Sequence, residues 1–470
     1  MQGQSDIGMI GLGVMGRNLI LNIADHGYSV VGYDKNPNQI QELRVAVEKR
    51  PVYVATTLAD FITNLKKPRV IMLLVPAGSP VDAVIRDLLP FIETGDVLID
   101  GGNSHFTDTN LRAKTLAGKG IYFLGVGISG GESGARHGPC LMPGGPQSAY
   151  ELVRKIFESV AAQVNGEACV TYLGPDSAGH YVKMVHNGIE YAFLELIAES
   201  YALMKDGLGL SDDDLHDVFD HWNRGLLNSY LIEITANIFR YTDEQTGQKL
   251  IDQILDEARQ KGTGKWTSQD ALDLQVPIPV IDAAVSMRDL TALKEARQAA
   301  SRVLNGPSPH LRGDKTAFMV HLEESLYASL VISFAQGMAL LFAGSNQYEY
   351  DLNLEAVARI WRGGCIIRAV LLEDIRAAYR NQPGLANLLM DSHLGSAVSE
   401  RQSSLRLIVN AAVEMGISIP GFMAALAYFD GYRSAWLPAN LIQAQRDYFG
   451  AHTYERVDAK GVFHTHWGEA

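Results

Sequence analysis

In residues 1–176 the apolar positions fall into short runs that alternate with helical patterns. A helix is predicted from Arg17 to His26, between the first two of these runs. Short apolar runs separated by helices are typical of a parallel sheet covered on both faces. The predicted strands are 7–10, 28–33, 70–75, 97–100, 122–126 and 168–172.

The pattern changes near residues 174–177, where Gly, Pro, Asp and Ser follow one another. Beyond this point helical periodicity dominates, and long helices are predicted at 179–205, 230–260, 315–343, 354–379 and 402–417. The last residues have little apolar sequence for a core, so they are predicted to be disordered or to pack onto something else. We therefore predict an α/β chain with a Rossmann-like, doubly wound domain at 1–176, a large all-α domain at 177–439 and a C-terminal tail at 440–470.

Composition narrows the classes of partner. A chain of 470 residues is too long for one ordinary domain, and its formal net charge of −13 argues against non-specific nucleic-acid binding. No uninterrupted apolar run approaches the ~20 residues of a membrane span. Three cysteines without C-x-x-C spacing indicate neither a disulfide framework nor a zinc site. A cytoplasmic protein with no metal, membrane or nucleic-acid partner is expected.

The sequence Gly11-Leu12-Gly13-Val14-Met15-Gly16 follows the first predicted strand and opens the first helix. In this setting G-x-G-x-x-G is typical of dinucleotide binding: the first glycine permits the turn, the second lets a pyrophosphate approach, and the third lets helix and strand pack closely. The alternative is a glycine-rich turn without a ligand.

Asp34 ends the second strand, at the place where an acid usually bonds the adenosine ribose of NAD and repels the 2′-phosphate of NADP. Lys35 could offset that charge, and Asp34 could instead be a turn residue before Asn36 and Pro37. Further candidates follow the third and fourth long strands. They are Val75-Pro76-Ala77 and the run Asp100-Gly101-Gly102-Asn103-Ser104.

Lys183 and Glu190 are seven residues apart in a predicted helix, so they share a face, with Cα atoms about 10 Å apart along the axis. His186, Asn187 and Tyr191 join that face. The alternative is a solvent-exposed polar stripe. Gly188 in mid-helix costs about 1 kcal/mol relative to alanine, which suggests a close approach by another group.

The pair suits one kind of chemistry. Oxidation of a secondary alcohol needs a base for the hydroxyl proton, and a lysine serves if burial lowers its pKa. Oxidation beside a carbon that bears a carboxylate yields a β-keto acid, which loses CO₂ once its ketone oxygen is protonated. The resulting enol needs a proton at carbon, and Glu190 is placed to supply it.

At this point the chain resembles the 6-phosphogluconate dehydrogenase family over essentially its whole length. The resemblance rests on six segments, which are 11–19, 99–104, 127–136, 183–191, 261–267 and 445–452. It implies metal-independent oxidative decarboxylation of 6-phosphogluconate to ribulose 5-phosphate and CO₂, with reduction of NADP or NAD, in the pentose phosphate pathway and gluconate utilization. It also implies a homodimer with a shared active site.

The resemblance assigns roles to individual residues. Lys183 would be the base and later the acid, and Glu190 would protonate the enediol. Sugar acid and nicotinamide would contact Asn103, Ser129, Gly130, Gly131, His186 and Asn187. The 6-phosphate would be held by Tyr191, Lys261, Thr263 and Arg288, with Arg446 and His452 supplied by the tail of the neighbouring subunit.

Two positions depart from many family members, which carry Asn-Arg-Thr after the second strand and a lysine after the third. This chain has Asp34-Lys35-Asn36 and Pro76 there. Both changes make the adenosine end less positive, so NAD is expected to be used as well as NADP or better. The alternatives to the whole assignment are a shorter β-hydroxyacid dehydrogenase without decarboxylation and a nucleotide-binding protein without catalysis.

Overall fold

The computed structural model describes residues 5–469, and its N-terminal part is built on one seven-stranded sheet. The strands are β1 (Ile7–Ile10), β2 (Val30–Tyr33), β3 (Val52–Val54), β4 (Val70–Leu73), β5 (Val97–Asp100), β6 (Tyr122–Ser129) and β7 (Cys140–Gly144). Their order is β3-β2-β1-β4-β5-β6-β7. All neighbours are parallel except β7, which runs antiparallel to β6.

Helices cover both faces of this sheet, which explains why its central strands are buried at every position. One face packs against the first and last of these helices, and the other against the third to fifth. The helices are α1 (Val14–Asp25), α2 (Pro37–Ala46), α3 (Leu58–Thr63), α4 (Ser79–Leu88), α5 (Phe106–Ala117), α6 (Gly131–His137) and α7 (Gln147–Val160). The doubly wound prediction is confirmed.

Two parts of the strand prediction were wrong. Residues 168–172 form no strand of the sheet. Instead, β8 (Gln163–Val164) and β9 (Glu167–Ala168) make a short hairpin. The apolar residues that follow the hairpin lie beside β7, and the Leu141 N–H donates a hydrogen bond to the Cys169 carbonyl at 3.0 Å. Their apolar character reflects burial rather than strand structure. The strands β3 and β7 were not predicted.

The rest of the chain is helical. Its helices are α8 (Ala178–Ala202), α9 (Asp212–Trp222), α10 (Tyr230–Arg240), α11 (Thr263–Asp273), α12 (Pro279–Thr291), α13 (Lys294–Ala300), α14 (Lys315–Gln347), α15 (Leu354–Ile360), α16 (Leu371–Asn381), α17 (Ser392–Met415) and α18 (Pro420–Tyr432). A π-helical turn at Leu203–Gly207 follows α8, and 3-10 turns occur at Leu250–Gln253 and Leu388–Met390.

Two predicted helices are broken. The segment 230–260 contains only α10 and a 3-10 turn, and 354–379 splits into α15 and α16. The second break lies at Gly363-Gly364, where Gly364 has a φ of +64° that other residues rarely adopt. The loop between α15 and α16 thereby reaches the sheet domain.

The longest helix, α14, forms the centre of the helical part. It contains an 18-residue window of mean hydropathy 1.8, so length and composition alone would allow it to span a membrane. The sequence-based statement that no run approaches that length was therefore too strong. Because 83% of the window is buried within the protein, α14 has the environment of a core helix.

The tail has regular secondary structure, so the first of the two predicted alternatives, a disordered tail, is wrong; the second, packing onto another surface, stays a prediction. The tail consists of α19 (Ala439–Gly450), a hairpin of β10 (Tyr454–Glu455) with β11 (Val462–Phe463), and a final 3-10 turn. The buried Asp447 carboxylate organises it by accepting hydrogen bonds from Thr453 N, Thr465 N and Trp467 Nε1 at 2.8–3.0 Å.

Candidate active site

The glycine-rich turn has the geometry that a dinucleotide requires. Gly11 has a φ of +99°, and a Cβ there would lie 2.3 Å from the Leu74 carbonyl oxygen. A Cβ on Gly16 would lie 1.9 Å from the Gly11 carbonyl oxygen, whereas a Cβ on Gly13 would meet nothing within 4 Å. Gly13 therefore leaves open space, at a helix N-terminus that no side chain caps. Free N–H groups at such a place suit a pyrophosphate.

A pocket of about 370 Å³ lies at the adenosine end of this turn. Of the predicted cofactor residues, it is lined by Gly11, Gly13, Asp34, Lys35, Asn36, Val75 and Pro76. The others, Leu12, Val14, Met15, Gly16, Ala77 and Asn103, are not among its lining residues. The structure thus brings the ends of β1, β2 and β4 together, as the order of the sheet requires.

Asp34 has a structural role in this pocket. One carboxylate oxygen accepts a hydrogen bond from the Leu12 N–H at 2.7 Å, and the other accepts from the Asn36 N–H at 2.8 Å. It therefore ties the glycine-rich turn to the loop after β2, as the turn-residue alternative required. Lys35 is paired with Asp87 at 2.6 Å, so its charge is already partly neutralised.

The catalytic candidates lie on α8, which packs directly onto the hairpin of β6 and β7. Four glycines make this possible. A Cβ on Gly127 would lie 2.3 Å from Lys183 Cβ, and a Cβ on Gly144 would lie 2.3 Å from the Gly179 N. A Cβ on Gly179 would lie 2.3 Å from the Gly125 carbonyl oxygen. No side chain separates the helix from the sheet at these points, so the position of Lys183 is fixed by backbone.

Lys183 is 5% exposed, and burial lowers the pKa of its amine, while the nearby Glu190 raises it. Burial raises the pKa of Glu190, and the positive charges of Lys183 and Arg288 lower it. The lowered pKa of Lys183 favours a neutral amine, and the raised pKa of Glu190 favours a protonated carboxyl on the same helix face. This is the opposite of a solvent-exposed ion pair, so the polar-stripe alternative is wrong for these residues.

His186 is fully buried, and burial lowers its pKa, as does the neighbouring Lys183. Nδ1 lies 3.0 Å from Asn187 Oδ1, an acceptor, so it carries the proton. Nε2 is then free to accept from the Ser129 hydroxyl at 3.3 Å. Asn187 Nδ2 donates onward to Thr263 Oγ1 at 3.1 Å. One hydrogen-bonded chain therefore runs from the loop after β6 to the start of α11.

The loop Ser129-Gly130-Gly131 ends β6 and begins α6. Gly130 has a φ of +118°, and a Cβ there would lie 2.6 Å from the Gly364 carbonyl oxygen, in the loop between α15 and α16. That carbonyl accepts from Cys140 N at 2.8 Å, and Ile366 N lies 3.4 Å from the Ser129 hydroxyl. The second domain thus supports this loop from behind, a contact that the sequence did not indicate.

A cationic region lies farther along α8. The Arg288 guanidinium stacks on the Tyr191 ring, 3.9 Å from its centroid, and Thr263 begins α11 nearby. Lys261 is exposed in the loop before α11. A Cβ on Gly188 would lie 2.6 Å from Thr267 Cγ2, so the predicted close approach at Gly188 is that of α11.

The tail residues Arg446 and His452 are exposed. Arg446 donates to Gln443 on its own helix at 3.1 Å, and α19 packs on the hairpin of the same tail. Large apolar side chains of the tail are open to solvent, with Tyr448 66% and Phe449 72% exposed. The tail therefore presents an apolar surface that this chain does not cover.

Two buried residues near the site were missed in the sequence. His180 lies between the Asp100 carbonyl, 3.0 Å from Nε2, and the Thr109 hydroxyl, 2.6 Å from Nδ1. Arg112 contacts the loops after β4 and β5. Both lie within helical patterns, and their partners are distant in sequence, so no local spacing identifies them. Within residues 5–469 no group of three or more His, Cys, Asp or Glu residues could hold a metal ion.

Comparison with known proteins agrees with this geometry. Residues 6–174 match the NAD binding domain of 6-phosphogluconate dehydrogenase, and residues 179–467 match the C-terminal domain of 6-phosphogluconate dehydrogenase. The chain is 52% identical over 465 residues to an NADP(+)-dependent, decarboxylating 6-phosphogluconate dehydrogenase of Bacillus subtilis, covering 99% of both chains. It is 51% identical over 464 residues to a decarboxylating 6-phosphogluconate dehydrogenase of Synechococcus elongatus, covering 98% of both.

A solved structure extends the likeness to three dimensions. The 6-phosphogluconate dehydrogenase of Plasmodium falciparum, solved in its apo form and in complexes with NADP+ and with 6-phosphogluconate, superposes with a TM-score of 0.93. It is 46% identical, and the match covers 98% of this chain and 100% of that one. Similarity over whole chains excludes the shorter hydroxyacid dehydrogenase as an explanation.

Proposed function

The chain belongs to the 6-phosphogluconate dehydrogenase family, and from this premise we propose that Lys183 and Glu190 are the base and the acid of its reaction. That reaction is the oxidative decarboxylation of 6-phosphogluconate to ribulose 5-phosphate and CO₂, with reduction of a nicotinamide dinucleotide, in the pentose phosphate pathway. The observation that carries the proposal is that the buried Lys183 and the half-buried Glu190 lie on one face of α8, close to the loop 129–131.

A dinucleotide held at the glycine-rich turn by residues such as Gly11, Gly13 and Asp34 would supply the hydride acceptor for C3 of the sugar acid. The neutral Lys183 amine takes the C3 hydroxyl proton, and the resulting ammonium then donates a proton to the ketone oxygen as the C1–C2 bond breaks and CO₂ leaves. The carboxyl of Glu190 protonates C1 of the enediol, which was C2 of the sugar acid, while the Lys183 amine takes back the proton of the enediol hydroxyl, and the product is ribulose 5-phosphate. His186 and Asn187, neutral and hydrogen-bonded, orient the hydroxyl groups without competing for the protons.

Replacement of the base tests this assignment. Lys183→Met keeps the length of the side chain and removes a buried amine, so the variant should fold as well as the wild type and release no CO₂ from 6-phosphogluconate. Lys205→Met is the matched control, because Lys205 follows the same helix and is paired with Asp212 away from the site. Full turnover by Lys183→Met would exclude Lys183 as the base.

The residues of the adenosine pocket bear on whether the chain prefers NAD or NADP. We propose that NAD serves as well as NADP or better. Asp34 presents a carboxylate at the adenosine pocket, Lys35 is paired with Asp87, and no arginine is among the described residues that line the pocket. A 2′-phosphate would therefore meet a negative charge without an unpaired cation.

Steady-state kcat/KM with each dinucleotide tests the preference. Asp34→Asn removes the charge with little change of shape and should improve kcat/KM for NADP relative to NAD. A wild-type preference for NADP of roughly a hundredfold, or about 2.7 kcal/mol, would contradict the proposal.

We further propose a homodimer in which the tail of each subunit supplies Arg446 and His452 to the other. The exposed apolar side chains of the tail support this arrangement, because surfaces of that kind mark protein–protein contacts. Subunits carrying Arg446→Ala and subunits carrying Lys183→Ala should each be inactive. When they are unfolded and refolded together, hybrids should regain activity, since one of their two sites has both residues. Failure of the mixture to regain activity, with dimers present, would contradict a shared site.

A further inference from the structure

Arg112 lies on α5, outside the set of residues assigned above, and its side chain is 6% exposed. Its guanidinium makes hydrogen bonds in three directions. Nε donates to Asp82 on α4 at 2.7 Å, Nη2 donates to the Gly78 carbonyl at 3.0 Å, and Nη1 donates to the Ser104 hydroxyl at 3.3 Å. None of these three partners is on α5, and the Asp108 carboxylate of α5 lies farther away, 3.9 Å from Nη2.

The partners belong to two loops that frame the dinucleotide site. Gly78 directly follows Val75-Pro76-Ala77 after β4 and precedes α4, where it has a φ of +86°. Ser104 directly follows Asn103 after β5. The loops follow adjacent strands and open at the same edge of the sheet. Arg112 is the side chain that contacts both.

The conformation of the loop after β5 also depends on the buried negative charge of Asp100. The Asp100 carboxylate is fully buried and accepts from Ser104 Oγ at 2.6 Å and from Gly102 N at 3.0 Å. Arg112 Nη1 lies 3.6 Å from the same carboxylate. Without the guanidinium, Asp100 would be a buried carboxylate without the cation that now lies beside it, an unfavourable arrangement that a movement of the loop would relieve.

We propose that Arg112 is a positioning residue that fixes the separation of the loops 75–78 and 100–104 and thereby holds the nicotinamide half of the dinucleotide at the right distance from Lys183. The inference rests on the function proposed above. A lysine at this position would carry the charge but could not bond in three fixed directions, since its ammonium is a single point.

The test compares two Arg→Lys variants. Arg112→Lys should raise the dissociation constant for the dinucleotide, measured without substrate by the quenching of tryptophan fluorescence, on the order of tenfold, which corresponds to about 1.4 kcal/mol of lost binding free energy. The dissociation constant for 6-phosphogluconate should change much less, because only Asn103 of the residues assigned to the sugar acid lies in these loops, whereas Ser129, His186 and Arg288 lie outside them.

Arg376→Lys is the matched control. Arg376 is 3% exposed and paired with Glu355 at 2.8 Å and Glu373 at 3.1 Å in the helical part of the chain, and with Glu167 of the β8–β9 hairpin at 3.4 Å. It should lower thermal stability and leave both dissociation constants unchanged. Asp82→Asn, a milder change at a partly exposed partner of Arg112, should weaken dinucleotide binding in the same direction as Arg112→Lys but by less.

Unchanged dinucleotide binding in Arg112→Lys would overturn the inference, and so would equal weakening of both ligands or the same losses in Arg376→Lys. If the wild type bound dinucleotide but released no CO₂ from 6-phosphogluconate, the proposed function would fail while the comparison of binding constants would still decide the role of Arg112.

Discussion

The contact between α8 and β6 makes Gly127 a sensitive position for catalysis, although it touches no ligand. In Gly127→Ala the new methyl group would lie 2.3 Å from Lys183 Cβ and 2.9 Å from Lys183 Cγ. Non-bonded carbons are most stable about 3.8 Å apart, so the helix must retreat by about 1.5 Å or the strand must bend by as much. The φ of Gly127 is not in the left-handed region, so the effect arises from crowding alone.

The magnitude follows from that displacement. Overpacking of this kind typically costs about 1–3 kcal/mol of stability, which the protein should survive. A base moved by about 1 Å loses on the order of a hundredfold in kcat, or about 2.7 kcal/mol of activation free energy. Dinucleotide binding should remain near the wild-type value, because the glycine-rich turn lies on β1, two strands away from β5 and three from β6.

The assay is kcat for 6-phosphogluconate at saturating dinucleotide, with thermal unfolding and dinucleotide affinity measured on the same samples. Gly431→Ala is the control. Gly431 lies in α18, and a Cβ there would meet nothing within 4 Å, so alanine should stabilise the protein by up to about 1 kcal/mol and leave kcat unchanged. Wild-type kcat in a folded Gly127→Ala variant would refute the claim that backbone contact fixes Lys183.

Three further predictions follow from the same region. Glu190→Gln should lose on the order of 10²–10⁴-fold in kcat. It should also lose the alkaline limb of the pH–rate profile, because burial raises the pKa of Glu190 and the wild-type rate falls as the pH rises through that pKa. The acid limb, on which Lys183 must lose its proton, should remain. Arg288→Lys, which removes the stacking on its tyrosine neighbour, should raise KM for 6-phosphogluconate roughly tenfold with unchanged dinucleotide affinity; equal loss of both would contradict it. Gly188→Ala should lower the melting temperature by the equivalent of about 1–3 kcal/mol, and Thr267→Ser, which removes the crowded Cγ2, should recover part of that loss; calorimetry of the two variants tests this.

The sequence predicts the central sheet well because its strands are buried on both faces and leave continuous apolar runs. The prediction from sequence fails where a buried segment is not a strand, or where a strand contains residues that are typical of turns. The segment Cys169–Tyr172 is apolar because it lies beside β7, yet it is not a strand of the sheet. The strand β7 contains Pro143 and ends at Gly144, so its residues resemble a turn, although Gly144 is required by the approach of α8.

The candidate active site also contains residues that helical spacing predicts and a residue that only the fold identifies. Helical spacing places Lys183, His186, Asn187 and Glu190 on one face, and the structure brings them together with Ser129. The importance of Arg112 could not be predicted, because its partners are the Gly78 carbonyl, a serine hydroxyl and two carboxylates from other elements. Only the fold determines that these groups surround one guanidinium.

The four-glycine contact beneath α8 also bears on how ligands enter and leave. Apolar residues of the sheet domain, among them Cys140 and Met142 on β7, belong to the same buried cluster as the helices around α14. A hinge motion that separated the sheet domain from the helices at the start of α8 would expose that cluster to water. It would also pull apart the glycine backbones of β6, β7 and α8, which are in direct contact. The contact therefore opposes a hinge motion between the sheet domain and the start of α8, and any opening of the candidate site falls to elements that this contact does not hold, such as the exposed loop at Lys261.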